Sequence, residues 1–210
     1  MFSLEDYKQD PCRVSSIPYW KARNIAIPPN MKIVHDNDFD KKLLKHYTDK
    51  RFFRLVHHLT RIPEFSHADI TFEVILPGKI DELAEMINHC YTHSDICVSA
   101  DYVQDLTATP VYCPELWIGA FSGRKLIGSI LCDFDGEVGE AVIEWLQVLP
   151  ECRGKGIASA LICAALQKMN NFADFATVSG ECENSTNPEQ VYRHCGFSGD
   201  DIWHILHEKS

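Results

Sequence analysis

One stretch constrains this chain more than any other. Residues 142–165 read Val-Ile-Glu-Trp-Leu-Gln-Val-Leu-Pro-Glu-Cys-Arg-Gly-Lys-Gly-Ile-Ala-Ser-Ala-Leu-Ile-Cys-Ala-Ala. Alternation puts Val142, Glu144, Leu146 and Val148 on one face and Ile143, Trp145 and Gln147 on the other, which predicts a strand over 140–148. Pro150 has no N–H to give a ladder and ends the pairing. Arg153-Gly154-Lys155-Gly156 then opens a helix. Its apolar residues recur at Ile157, Leu161, Ala165 and Met169, flanked by Ala158, Ile162 and Leu166.

A strand, a glycine turn and a helix start together make an anion site. The first N–H groups of a helix lack internal partners and lie at the positive end of its dipole. Gly154 and Gly156 let a bulky phosphate approach the backbone, and Arg153 and Lys155 add charge there. A P-loop is excluded because Gly156, not Ser or Thr, follows Lys155. A dinucleotide fingerprint is excluded because it needs three glycines at fixed offsets and only two are present. The plain alternative is an ordinary strand-to-helix corner.

The pattern that fits is Arg-x-x-Gly-x-Ala, at Arg153, Gly156 and Ala158, five residues after a strand ending Leu-x-Val at Leu146 and Val148. It resembles the acyl-CoA-binding motif of the GNAT superfamily of N-acetyltransferases. The resemblance implies an α+β fold, a mixed and mostly antiparallel sheet flanked by helices, with acetyl-CoA as co-substrate. It implies that the loop from Arg153 through Gly154, Lys155, Gly156, Ile157 and Ala158 holds the CoA diphosphate. It also implies that the strand backbone over Leu146, Gln147 and Val148 pairs with the pantetheine arm.

Composition sets outer bounds. The chain has 210 residues, 45% of them apolar, enough for a substantial core. Its net charge of −10 argues against nucleic acid, which needs a basic surface, and is compatible with a cationic amine. Nine cysteines include no Cys-x-x-Cys pair, so zinc spacing is absent and no metal is expected. An odd number of cysteines, several within apolar runs, reads as reduced thiols in a cytoplasmic protein. No signal peptide is evident, and the apolar run 157–166 is too short to cross a bilayer.

Residues 1–67 are expected to form an N-terminal extension packing on a core domain of residues 68–210. Pro11, Pro18, Pro28 and Pro29 predict irregular structure or short extended pieces at the start. The rhythm Leu43, Leu44, Tyr47, Phe52, Leu55, Val56, Leu59 predicts one or two amphipathic helices over 40–59. The adjacent His57 and His58 make a poor metal pair. Beyond that, strands are predicted over 70–76, 116–121 and 126–132, and helices from Ile80 to Tyr91 and from Ser99 to Leu106. A strand over 175–180 follows the central helix.

Near the end, Asn187, Pro188 and Gln190 predict a capped helix start, and Gly196 its stop. Tyr192, Gly196 and Phe197 are similar to the Tyr-x-x-x-Gly-Phe signature of the family. The family often places an Asn seven residues before that Tyr, where this chain has Ser185, so the contact to the CoA arm falls to Ser185 or Asn187. Many members close with two strands after Gly-Phe, but only thirteen residues remain here, room for one strand at 202–207. Residues 1–67 are expected to supply the missing wall of the acceptor cleft, with Tyr19 and Trp20 as lining.

The resemblance assigns polarisation of the thioester carbonyl to the Leu146 N–H and protonation of the leaving thiolate to Tyr192. Glu144 is the candidate base, a carboxylate in an apolar row. Glu140 and Glu115 are rivals. Cys152 is read as a neighbour of the loop, since direct transfer needs no cysteine nucleophile. The expected partners are acetyl-CoA and an acceptor bearing a primary amine, with a homodimer left open. The reading from a different class is a sensor or interaction module that binds acyl-CoA without turnover.

Overall fold

The computed structural model describes residues 2–65, 67, 69–92 and 96–209. Seven helices among them are α1 Leu4–Gln9, α2 Pro11–Val14, α3 Tyr19–Asn24, α4 Ile80–Cys90, α5 Ala100–Leu106, α6 Ile157–Met169 and α7 Pro188–His194. The strands are β1 Met31–His35, β2 Tyr47–His57, β3 Thr71–Val74, β4 Tyr112–Ser122, β5 Lys125–Asp135, β6 Glu140–Val148, β7 Phe175–Glu181 and β8 Ser198–Glu208. The fold is α+β, with mostly antiparallel strands flanked by helices, as anticipated. The chain forms two compact units: Met1–His58 with Thr177–Ser210, and Leu59–Ala176. Ala68, where the core domain was expected to begin, lies outside the described residues.

In the first unit β8 lies between β1 and β2, antiparallel to both, with Ile33 facing Ile205 and Phe53 facing Ile202. A strand from the N-terminal segment thus partners the last strand. Pro28 and Pro29 lie in a stretch without helix or strand, as expected, but Pro11 and Pro18 do not break the chain. Pro11 takes the first turn of α2 and Pro18 is the N-cap residue of α3, positions where a fixed φ favours a helix start. Tyr19 is buried against Tyr7, ring centroids 5.2 Å apart, while Trp20 is half-buried.

The helices expected over 40–59 are replaced by a 3-10 turn at Lys41–Lys45 and by β2. Arg54 is the reason the strand was hidden. It stands 1% exposed inside the run Phe52–Val56, so a continuous apolar run is broken and Phe52, Phe53, Leu55, Val56 and Leu59 fall by coincidence at helical spacing. Its guanidinium donates to the Tyr7 hydroxyl at 2.8 Å, Ser179 Oγ at 3.2 Å and Thr177 Oγ1 at 3.3 Å. Those bonds offset the cost of burying the charge. His57 is buried 5.3 Å from the Phe197 ring, and His58 is exposed.

In the second unit the strands run in the order β3-β4-β5-β6, each neighbour antiparallel. Gly128 faces α6, where a Cβ would come within 3.3 Å of Leu161 Cδ1, so the missing side chain lets the helix sit close to the sheet. Leu161, Ile162 and Leu166 of α6 are fully buried, as are Leu116, Ile118 and Ile130 of β4 and β5. On the opposite face α4 turns Leu83, Ala84 and Ile87 inward. Burial of this much apolar surface, at about 25 cal/mol per Å², is the main stabilising term.

Candidate active site

β6 does not alternate as its sequence implies. Leu131 faces Trp145, but the next residue, Cys132, faces Ile143, so Glu144 is the extra residue of a β-bulge. Each face is therefore exchanged at Glu144. Ile143, Leu146 and Val148 stand over the same side of β5 as Cys132, Ile130 and Gly128, whereas Val142 lies on the other. The expected row of Val142, Glu144, Leu146 and Val148 is split. Glu144 and Leu146 are half-buried, whereas Glu140 is fully buried. The Gln147 side chain is 4% exposed and its Nε2 donates to Ser129 Oγ at 2.6 Å. Contact of Gln147 with any ligand thus falls to its main chain. Trp145 meets Tyr91 edge-on at 6.2 Å, at the end of α4.

After β6, Pro150–Cys152 makes one 3-10 turn and the chain enters the loop. Gly154 has φ +75° and Gly156 φ +77°, and a Cβ added at either would meet nothing within 4 Å. Both adopt the left-handed backbone that favours glycine, and no described protein atom crowds them. Gly156 is the N-cap of α6, and no side chain caps that helix. Its first turn is thus left to an external acceptor or to solvent. Among the buried residues of that turn is Ile157, while Ala158 is half-buried and Lys155 exposed.

The loop is held through carbonyl groups. Arg153 Nε donates to the Val148 carbonyl at 3.1 Å, and Arg153 Nη2 to the Cys90 carbonyl at 3.2 Å. The arginine expected to face a phosphate is therefore used, at least in part, to tie the loop to β6 and α4. His67 Nε2 lies 2.9 Å from the Lys155 carbonyl, a contact that nothing in the sequence announced. Burial pushes the Cys90 thiol up to about 11, against the opposing pull of Arg153 beside it, so this sulfur stays protonated near neutral pH. Among the described residues no three His, Cys, Asp or Glu side chains converge as a metal site. No described helix is long and apolar enough to cross a membrane.

The sequence profile of the Acetyltransferase (GNAT) family matches residues 80–197. The chain belongs to the GNAT acetyltransferase family. Its fold is similar to that of a GCN5-related N-acetyltransferase from Sphaerobacter thermophilus, with TM-score 0.69 and 17% identity over 85% of this chain and 58% of that one. The chain thus spans little more than half the length of that structure. An acetyltransferase of the GNAT family from Colwellia psychrerythraea aligns with TM-score 0.62 and 13% identity, over 84% of this chain and 64% of that one. Arabidopsis thaliana Naa50, solved in complex with the bisubstrate analogue CoA-Ac-MVNAL, aligns with TM-score 0.51 and 18% identity over 68% of this chain and 99% of that one. No curated protein matches the sequence significantly.

Three residues that the GNAT resemblance singled out belong to the first unit. Tyr192 is 6% exposed on α7, its ring 6.2 Å from Phe53 and 5.7 Å from Phe197. Ser185 and Asn187 are exposed in the turn before α7. Asn187 is the N-cap but adopts φ +47°, and its side chain accepts no backbone bond. It donates instead to Gln190 Oε1 at 2.9 Å, so the expected capping box does not form. Asn184 is engaged with the Thr186 N–H at 2.9 Å. Glu144, Leu146, Gln147, Val148 and the loop from Arg153 to Ala158 all lie in the second unit.

Proposed function

We propose that this GNAT protein moves an acetyl group from acetyl-CoA to a primary amine by direct transfer. The observation that carries the reading is the pair of left-handed glycines, Gly154 and Gly156, leading into a helix that no side chain caps. Main-chain N–H groups at such a corner suit a diphosphate. The catalytic domain is residues 68–210, with residues 1–67 as its extension.

In the reaction the amine nitrogen attacks the thioester carbonyl carbon and the carbon–sulfur bond breaks. The nitrogen loses a proton and the CoA thiolate gains one. We assign the diphosphate to the backbone from Arg153 to Ala158 and the pantetheine arm to the backbone of Leu146, Gln147 and Val148, with Ser185 and Asn187 near the arm. Glu144 takes the proton from the amine, the Leu146 N–H polarises the carbonyl, and Tyr192 protonates the thiolate. The bulge supports the first role, because bulges re-aim side chains. All nine cysteines are free thiols, which fits a reducing compartment such as the cytoplasm.

Two measurements test the proposal. Acetyl-CoA at a hundred times its dissociation constant should stabilise the protein by about 2.7 kcal/mol in thermal unfolding. Thiol release from acetyl-CoA should then appear with at least one member of a panel of primary amines. Stabilisation without release from any amine would return the protein to the class of acyl-CoA-binding modules.

A further inference from the structure

We propose that His67 is a positioning residue of the diphosphate loop, fixing the Lys155–Gly156 peptide so that its N–H is preset for the ligand. The inference rests on the acetyl-CoA reading above and extends it to a residue outside the motif.

A carbonyl oxygen only accepts, so the His67 ring must carry its proton on Nε2 and donate it to the Lys155 carbonyl, 2.9 Å away. The peptide that owns this carbonyl also owns the Gly156 N–H. No described peptide bond is cis. In a planar trans peptide the C=O and N–H point in opposite directions. Holding the Lys155 carbonyl toward His67 therefore aims the Gly156 N–H away from it.

This peptide needs such help. It is flanked by Gly154 at φ +75° and contains the nitrogen of Gly156, itself at φ +77°. Residues 153–156 are exposed, and an exposed glycine-rich turn reorients at little cost unless it is braced. A peptide that wanders must be ordered when the ligand arrives, and that ordering weakens binding. His67 and Arg153 both act on carbonyls, at Lys155, Val148 and Cys90, so neither brace uses up an N–H. His67 comes from the connection between β2 and β3, 88 residues before Lys155 and in the same compact unit. That connection, residues 58–70, is long for a link between strands, a feature often tied to function.

The test compares wild type, His67→Ala and His67→Gln. The Gln amide restores an N–H donor at a reach similar to that of Nε2. Calorimetric titration with CoA should show binding about five- to tenfold weaker in His67→Ala, with most of the loss recovered in His67→Gln. In turnover, the KM for acetyl-CoA should rise while kcat stays level. The kcat/KM for S-acetylpantetheine, which lacks the diphosphate, should not change. Equal CoA affinity in wild type and His67→Ala overturns the inference, as does a Gln variant no better than Ala. A parallel loss with S-acetylpantetheine overturns it too, because the damage is then general. Wild type that fails to bind CoA overturns the acetyl-CoA reading itself, and this inference with it.

Discussion

Arg153 Nε donates to the Val148 carbonyl at 3.1 Å and so ties the candidate phosphate loop back to the strand it leaves. Its other arm reaches the Cys90 carbonyl at the end of α4. One planar fork thus joins strand, loop and helix, a geometry that a lysine cannot copy. Arg153→Lys should therefore behave like Arg153→Ala. Both should lose about 1 kcal/mol of stability and several-fold in CoA affinity, read by thermal unfolding and calorimetry. A lysine variant with wild-type affinity would mean that the charge alone matters.

Gly156→Ala tests why glycine is there. An added methyl would touch nothing within 4 Å, yet the residue sits at φ +77°. The protein should fold, lose about 1 kcal/mol to left-handed strain, and bind CoA more weakly. Unchanged stability and affinity together would show that the turn relaxes freely.

Glu144→Gln keeps size and removes the carboxylate proposed as the base. Turnover should fall steeply at neutral pH, where a typical amine is protonated in solution. The deficit should shrink as pH approaches the amine's own pKa, about 10 for a lysine-like amine. Turnover equal to wild type across a pH–rate profile would dismiss Glu144, and Glu140, buried at the start of β6, would then be harder to favour than exposed Glu115.

Tyr192→Phe keeps the ring that packs on Phe53 and Phe197. It should lower kcat by about 100-fold with little change in CoA affinity, as expected for loss of a general acid. A large drop in melting temperature with unchanged kcat would instead mark the hydroxyl as a structural group.

Cys90 carries a pH prediction. Burial raises its pKa to about 11 from an ordinary 9.0, so the folded state favours the neutral thiol. This contribution is complete below pH 9 and is lost as pH climbs through 11. Cys90→Ser should flatten the fall of melting temperature over that window. At pH 8 exposed Cys97 should alkylate well before Cys90, followed by peptide mass analysis.

Much of the second unit was legible beforehand because its signals are local. Pro150, the two loop glycines and the apolar stripe of α6 each act within a few residues. The strand over 140–148 was found, but its bulge was not, since a bulge is a relation to Leu131 and Cys132 on another strand. The N-terminal segment was misread for a similar reason. Pro11 and Pro18 read locally as breakers, yet in the folded chain they start helices. β2 reads as helical because Arg54, charged yet buried, splits an apolar run into helical spacing.

The sequence by itself determined that a strand, a glycine turn and a helix follow one another at 140–169, and that they carry a family signature. Those features depend on φ preferences and on short-range periodicity, which each residue brings with it. Only the tertiary structure decided that Glu144 sits at a bulge, that Arg153 turns back to Val148 and Cys90, and that His67 meets Lys155. A hydrogen bond between groups 88 residues apart exists only once the chain has folded around it, and no local pattern encodes it.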